Sequence, residues 1–122
     1  MEKLEINKQL AINLFEGMNN RDMILVQKII NENIIFDFPG IEQIEGDKKF
    51  IVFLKLLHRK YKTLKFTIIE MLFDHDKACL IWTNEGKYLD DSDYNNRGVT
   101  LFHFENDKIS FLSDYFKNTS FK

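Results

Sequence analysis

The feature that most constrains the fold is a series of four long β-prone runs in the second half of the chain. The runs cover residues 63–73, 78–88, 94–105 and 108–117, and they are rich in β-branched and aromatic side chains. The connections between them are short and polar. Connections of this length join neighbouring strands that run in opposite directions. The second half of the chain is therefore predicted to be an antiparallel meander.

The first half of the chain carries helical patterns and one short strand. An apolar stripe at helical spacing over residues 4–18 predicts a first helix, and Asp22 is placed to cap a short second helix. Residues 34–38 predict a strand that is stopped by Pro39-Gly40. A third helix is predicted over about residues 47–60. Helices followed by strands indicate an α+β domain.

Length and composition limit the classes of protein to which the chain can belong. Its 122 residues are 44% apolar and contain no linker-like stretch, so residues 1–122 are predicted to form a single domain. A net charge of -2 offers no basic surface for nucleic acid, and no apolar run approaches the ~20 residues of a membrane span. The single Cys79 excludes an intramolecular disulfide and, without a signal-peptide pattern, predicts a cytoplasmic location.

The C-terminal strands carry an ordered set of residues that has a parallel in a known family. Residues 94–104 read Tyr-Asn-Asn-Arg-Gly-Val-Thr-Leu-Phe-His-Phe, and Lys108-Ile109 and Asp114-Tyr115-Phe116 follow after a short turn. With the order of helices and strands, this set resembles the SnoaL-like branch of the nuclear transport factor 2-like superfamily. Asp107 stands where such proteins usually have a glycine.

The resemblance covers essentially the whole chain and implies a particular fold. Such proteins wrap a curved sheet around a helix to form a cone whose open end holds a small ligand. The predicted fold class is therefore α+β, with three N-terminal helices packed into a strongly curved, mixed or antiparallel sheet that forms a cone-shaped pocket. Because this fold hosts enzymes of several kinds and plain binding modules, the fold alone does not select the function.

The turn of the last hairpin predicts which side chains face the pocket. If residues 106–107 form a two-residue turn, residues whose numbers sum to 213 lie opposite each other. One face then carries Val99, Leu101, His103, Leu112, Asp114 and Phe116, and the other carries Phe102, Phe104, Phe111 and Tyr115. The resemblance puts the first set inside the cone. A one-residue bulge would exchange the faces, turn the aromatic side chains inward and expose Asp114 and His103.

Asp114 is the candidate catalytic residue. By the resemblance, it falls where SnoaL-type cyclases place an acid/base aspartate. An inward carboxylate among Leu101, Leu112 and Phe116 loses solvation, which raises its pKa toward the range useful for general acid–base catalysis. The structural alternative is that Asp114 pairs with Arg97 near the end of the strand.

The remaining polar candidates are weaker. His103 shares the predicted face but lies about four residues, or ~13 Å, from Asp114, so it serves either as a contact for the far end of a ligand or as a wall residue. The resemblance maps the functional positions of ketosteroid isomerase onto Leu14, Phe38 and Val99, none of which can transfer a proton. Because the three histidines are scattered along the chain, neither a metal site nor a cofactor is predicted.

Two kinds of function are compatible with the predicted pocket. The first is a protein that binds a small apolar or carbonyl-containing molecule, and the second is a cyclase, isomerase or lyase that uses Asp114 as general acid/base. A third, a dimeric adaptor for protein partners, applies if side chains fill the cone. The predicted ligand-binding residues are Phe36, Phe38, Phe53, Leu57, Trp82, Tyr94, Val99, Leu101, Leu112 and Phe116. Trp82 is interpreted first as a core residue, and a position in the pocket wall is the alternative.

The aromatic side chains on the other face of the last hairpin predict a homodimer. Phe102, Phe104, Phe111 and Tyr115 point away from the cone in the register given above. Left uncovered, they would exceed the ~300–600 Å² of contiguous apolar surface that soluble monomers commonly expose. A second copy that presents the same face would cover them through an isologous interface.

Overall fold

The computed structural model describes residues 2–118. The helices are α1 (Lys3–Asn19), α2 (Met23–Ile29) and α3 (Asp47–His58). The strands are β1 (Ile30–Asp37), β2 (Ile44–Glu45), β3 (Tyr61–Asp74), β4 (Lys77–Tyr88), β5 (Asp93–Glu105) and β6 (Lys108–Phe116). The predicted α+β class, with three helices ahead of four long strands, is confirmed. None of the helices in the described range is long and apolar enough to cross a membrane.

The six strands form one sheet in the order β2-β1-β6-β5-β4-β3. Strands β3 to β6 pair antiparallel with their neighbours in sequence, as the short connections predict. Strand β1 lies beside β6 and runs parallel to it, and the two-residue β2, which the sequence pattern did not predict, pairs antiparallel at the edge. The sheet is therefore mixed, because the segment containing α3 carries the chain from β1 to the far edge.

The helices cover one face of the sheet, here named the inner face. The apolar stripes of α1 and α3 join the inner-face side chains of the strands in one core, which includes Leu14, Phe50, Leu80, Phe102 and Leu112. Two polar side chains at the junction of α1 and α2 form further hydrogen bonds. The Asp22 carboxylate accepts a hydrogen bond from the Leu25 backbone N–H at 3.1 Å, which confirms the predicted cap of α2. The Asn19 side chain forms two hydrogen bonds, of 2.7 and 3.0 Å, with the backbone of Phe66 in β3.

The last hairpin contains a bulge that the sequence-based register did not include. Asn106 and Asp107 have positive φ angles of 52° and 60°, as a two-residue turn between twisted strands requires. Next to the turn, Phe104 pairs with Ile109, but His103 pairs with Phe111. Ser110 is therefore the extra residue, and its hydroxyl donates to the His103 carbonyl at 3.2 Å. Beyond the bulge, residues whose numbers sum to 214 lie opposite each other.

Because of this bulge, the predicted faces of β5 are exchanged. Phe102 and Phe104, which we expected on the outer face, are 0% and 3% exposed in the core. Val99, Leu101 and His103, which we expected in the pocket, lie on the outer face and are partly exposed.

Strand β6 keeps its predicted phase, because the bulge lies ahead of the residues concerned. Leu112, Asp114 and Phe116 point to the helix-covered side, while Phe111 and Tyr115 lie on the outer face. A bulge was expected to expose both His103 and Asp114. Only His103 lies on the outer face, because Asp114 remains in the cavity lining.

Candidate functional site

A cavity of about 420 Å³ lies between the helices and the inner face of the sheet. Its wall is made largely of aliphatic and aromatic side chains from α1, α3 and all strands except β2. Seven of the ten predicted ligand-binding residues line it: Phe36, Phe38, Leu57, Trp82, Tyr94, Leu112 and Phe116. Val99 and Leu101 do not, since they lie on the outer face. The role of the seven in binding stays a prediction.

A cluster of phenylalanine rings forms one wall of the cavity. The ring of Phe36 lies 4.9 Å from Phe50 and 5.7 Å from Phe38, centroid to centroid, and Phe38 lies 5.5 Å from Phe116. Phe53, a predicted ligand contact, packs behind this wall, 5.0 Å from Phe38 and 5.6 Å from Phe36. Its position is that of a support for the lining rings. Edge and tilted contacts of this kind hold rings in fixed orientations.

Asp114 faces the cavity from β6 and is bonded to a threonine on the neighbouring strand. The Thr100 hydroxyl donates to Asp114 Oδ1 at 2.6 Å, and the Trp82 indole N–H donates to Thr100 Oγ1 at 2.9 Å. Burial raises the pKa of Asp114 to about 6, the hydrogen bond from Thr100 opposes this rise, and the charge of Asp37 adds to it. Asp114 is therefore an acid that changes its ionisation state close to neutral pH.

The alternative partner for Asp114 is not in place. Arg97 is exposed on the outer face of β5, and no salt bridge in the described residues involves Asp114. Asp37, the last residue of β1, also lies away from the cavity, because its neighbours Phe36 and Phe38 face inward. Its carboxylate accepts a hydrogen bond from the Ser113 hydroxyl at 2.9 Å.

Three tyrosines stand where the cavity meets solvent. The rings of Tyr61, Tyr88 and Tyr94 lie 4.8–5.4 Å apart in a mutual cluster. Tyr88 is exposed, as are the neighbouring lining residues Gly40 and Lys60. Burial, together with the adjacent Tyr94, raises the pKa of Tyr61, so its hydroxyl stays protonated at neutral pH.

Three buried polar lining residues were not predicted from the sequence: Asn84, Asn96 and Thr100. The Asn96 amide donates to the Tyr94 hydroxyl at 3.2 Å and so supports the entrance. Asn84 Oδ1 is buried without a hydrogen-bond partner among the described residues. The signal that could have found Asn96 and Thr100 is the separation of the apolar Ile109 and Leu112 by three positions, which breaks the alternation of a regular strand and indicates a bulge.

His103 and the other metal-ligand types do not assemble around the cavity. His103 lies on the outer face, where its ring packs 4.6 Å from that of Phe111, so it does not reach the cavity that it was predicted to share with Asp114. Within residues 2–118, no group of three or more His, Cys, Asp or Glu side chains has the arrangement of a metal site.

Comparison with solved structures shows the same fold in several proteins. A putative SnoaL-like polyketide cyclase from Jannaschia sp. CCS1 superposes with a TM-score of 0.86 at 14% identity, covering 95% of this chain and 88% of that one. TerC co-crystallised with polyporic acid gives 0.85 at 15%, covering 94% of each chain. An LEH-like epoxide hydrolase from M. tuberculosis gives 0.81 at 13%, covering 93% and 84%.

Sequence comparison is decisive at the level of the family. A search among curated proteins finds no match. A family model described as a SnoaL-like domain, however, matches residues 11–112, which include α2, α3, strands β1 to β5 and most of α1. The match agrees with the fold of the solved structures and with the resemblance of the C-terminal strands. The chain belongs to the family of SnoaL-like domains within the nuclear transport factor 2-like superfamily.

Proposed function

We propose that this protein binds a small, largely apolar molecule in the cavity on the inner face of its sheet. The observation that carries the proposal is the cavity itself, about 420 Å³ with a largely aliphatic and aromatic wall. Ligand sites have volumes of roughly 300–1,000 Å³ and this kind of lining. An interior that served packing alone would be filled with side chains. The co-crystallisation of TerC with polyporic acid supports a small organic ligand in this fold.

The binding proposal is tested with 2-acetylnaphthalene, a rigid apolar ketone, in an NMR titration. We expect shifts at the Trp82 indole and at residues 36–38 and 112–116. Leu57→Trp fills part of the cavity and should weaken binding at least tenfold. Leu56→Trp, on the exposed side of α3, is the matched control and should leave binding unchanged. Shifts confined to the outer face of the sheet would contradict the proposal.

A specific observation favours a second function at the same cavity. The pKa of Asp114, raised to about 6 by burial, suits a group that takes and returns a proton near neutral pH. We therefore infer a cyclase, isomerase or lyase as the alternative, acting on a carbonyl compound. The solved structures named as a putative polyketide cyclase and an epoxide hydrolase support an enzymatic use of the fold.

The enzymatic alternative has a direct readout with the same ketone. The Asp114 carboxylate would take a proton from the methyl carbon next to the carbonyl, and the resulting enolate would take a deuteron back from the exchanged acid in deuterated water. NMR then records loss of the methyl proton signal. Asp114→Asn should abolish this exchange while the ketone still binds. Equal exchange in the variant would remove Asp114 from the chemistry.

A second copy of the chain is the partner that we propose for the outer face of the sheet. This face carries a contiguous group of apolar side chains: Leu72, Cys79, Ile81, Val99, Leu101, Phe111 and Tyr115. Leu72 is 56% exposed and Tyr115 is 60% exposed. Two copies of one patch can cover each other about a two-fold axis. The single Cys79 also supports a reducing, cytoplasmic setting for such a dimer.

A further inference from the structure

The hydrogen bonds behind Asp114 form a chain across three adjacent strands. Trp82 on β4, Thr100 on β5 and Asp114 on β6 all point to the inner face, and Thr100 lies directly opposite Asp114 in the register. The indole nitrogen is 2.9 Å from the threonine oxygen, which is 2.6 Å from Asp114 Oδ1. Trp82 is 3% exposed and Thr100 is 4% exposed.

The donors in this series of hydrogen bonds can point in only one direction, from Trp82 through Thr100 to Asp114. An indole N–H donates and cannot accept, so Thr100 Oγ1 must accept from Trp82. The single hydroxyl hydrogen of Thr100 is then aimed at Asp114 Oδ1. If Oδ1 itself carried a proton and donated to Thr100, the threonine hydrogen would be left without an acceptor in a buried site. Oδ1 is therefore an acceptor whether Asp114 is ionised or neutral.

The other carboxyl oxygen is the one that a ligand meets. Asp114 lines the cavity, and no group among residues 2–118 hydrogen-bonds Oδ2. When Asp114 is neutral, its proton belongs on Oδ2, because the hydrogen bond from Thr100 occupies Oδ1.

We propose that Trp82 and Thr100 act as positioning residues that turn the acidic hydrogen of Asp114 into the cavity, so that the site selects an apolar molecule carrying one acceptor oxygen, such as a ketone. The ligand in this inference rests on the proposed function. The relay, meaning the hydrogen bonds from Trp82 through Thr100 to Asp114, does not. A carbonyl oxygen would accept from Oδ2–H while the remainder of the molecule packs against the phenylalanine wall. A hydrocarbon of the same shape would leave that donor unpaired.

The ligand half of the proposal is tested with two probes of matched shape. 2-Acetylnaphthalene carries a carbonyl oxygen where 2-isopropenylnaphthalene carries a methylene group. At pH 5 the unaltered protein should bind the ketone about tenfold more tightly than the alkene, a ratio that corresponds to one good hydrogen bond. At pH 8 the carboxylate has no hydrogen to donate, and the preference should vanish.

Asp114→Asn tests most sharply the direction of the hydrogen bond between Thr100 and residue 114. Its amide oxygen can accept from Thr100, which leaves the amide N–H₂ to donate at the position of Oδ2. The preference for the ketone should therefore persist at pH 8 in this variant. Loss of the preference at both pH values, with both probes still bound, would overturn the assigned direction.

Other titratable groups also lie around Asp114. Lys60, which follows α3, and the tyrosines of β3, β4 and β5 face the same cavity, and Asp37 lies behind Asp114 on β1. Asp114→Asn keeps all of these groups, so a pH dependence that this variant loses belongs to Asp114.

The relay is tested separately, without any ligand. The indole proton resonance of Trp82 should titrate with Asp114, and Thr100→Val should raise the pKa of Asp114 by about one unit. Thr100→Ser restores the hydroxyl and should restore the original titration. Trp82→Phe should also raise this pKa, since the freed threonine could accept from a protonated Oδ1.

The two sets of measurements separate the two hypotheses. An indole resonance that ignores the ionisation of Asp114, or variants with an unchanged pKa, would overturn the relay. If the relay behaves as expected but neither probe binds at pH 5, the ligand class and the binding proposal fail together while the positioning role stands.

Discussion

Asp114 places a charge in an apolar wall, and that has a cost in stability. Its pKa is about 6 in the folded protein, above the ~3.9 of an unfolded chain. The folded state therefore holds the proton of Asp114 more tightly than the unfolded chain does. The stability that this proton contributes is complete below about pH 4 and is lost as the pH rises through 6.

We predict that Asp114→Asn raises the free energy of unfolding at pH 8 by up to about 3 kcal/mol, the equivalent of a shift of two pKa units. The variant should gain little at pH 4. Urea denaturation at both pH values checks this, with Asp76→Asn in the exposed β3–β4 turn as control. A destabilised variant at pH 8 would mean that the carboxylate has a structural role.

His58 changes the free energy of unfolding with pH in the opposite direction to Asp114, over an overlapping pH range. Burial lowers its pKa from the ordinary 6.5, and the charge of Arg21 lowers it further. The unfolded chain therefore binds the proton more readily, so the stability contributed by neutral His58 is lost as the pH falls below about 6.5. His58→Gln should reduce the difference in unfolding free energy between pH 7.5 and pH 5.

The matched control is His75→Gln, because the His75 side chain is 92% exposed in the β3–β4 turn. Urea denaturation of both variants at the two pH values separates burial from the mere loss of an imidazole. If the two substitutions change the loss of unfolding free energy between pH 7.5 and pH 5 equally, His58 is not the group that causes this loss.

At the level of the secondary-structure elements, β6 leaves no room for a side chain at Gly98 of β5. A Cβ atom at this position would lie 2.4 Å from the Tyr115 carbonyl oxygen and 2.9 Å from the Phe116 Cα atom. Gly98→Ala must therefore separate the two strands beside the cavity, and we expect a loss of about 2 kcal/mol or more in unfolding free energy.

Gly40→Ala is the comparison for Gly98→Ala. Nothing lies within 4 Å of the added carbon, although Gly40 has a φ of +87°. Only backbone strain of about 1–2 kcal/mol applies there. Equal losses in the two variants would indicate that crowding at Gly98 is relieved without strand separation.

The elements were predictable where the determining pattern is local. The four long strands and the Asp22 cap follow from alternation, short turns and a side chain three residues from its partner. The parallel pairing of β1 with β6 was not predictable, because it joins segments about 75 residues apart and neither segment has a local sequence pattern that indicates it.

The site was predictable only in part, for a related physical reason. Turn geometry fixes the register beside the turn, so counting from residues 106–107 gave the right partners up to the bulge at Ser110 and the wrong ones beyond it. Val99 was thereby placed in the pocket, and Thr100, which bonds Asp114, was missed. Asp114 itself was assigned from the family resemblance.

For the molecule as a whole, the outer face of the sheet predicts the state of association. Leu101 lies near the middle of the apolar patch, between Cys79 on β4 and Ser113 on β6. Leu101→Asp puts a charge into the proposed interface and should convert a dimer into a folded monomer.

Sedimentation velocity at about 10 μM measures the state of association. Leu56→Asp, on the exposed side of α3, should remain dimeric. If the unaltered protein sediments as a monomer, the dimer proposal is wrong.

The bulge at Ser110 also has a consequence for the comparison of distant relatives. In an alignment without gaps to a relative that lacks this extra residue, the last hairpin is treated as a regular ladder, and Val99 falls in the column of a cavity residue. A single gap opposite Ser110 assigns that column to Thr100 instead. At identities of 13–15%, substitution scores cannot distinguish these alignments. For any relative without the bulge, the placement of one gap therefore determines which positions of the two chains are compared when an activity is transferred.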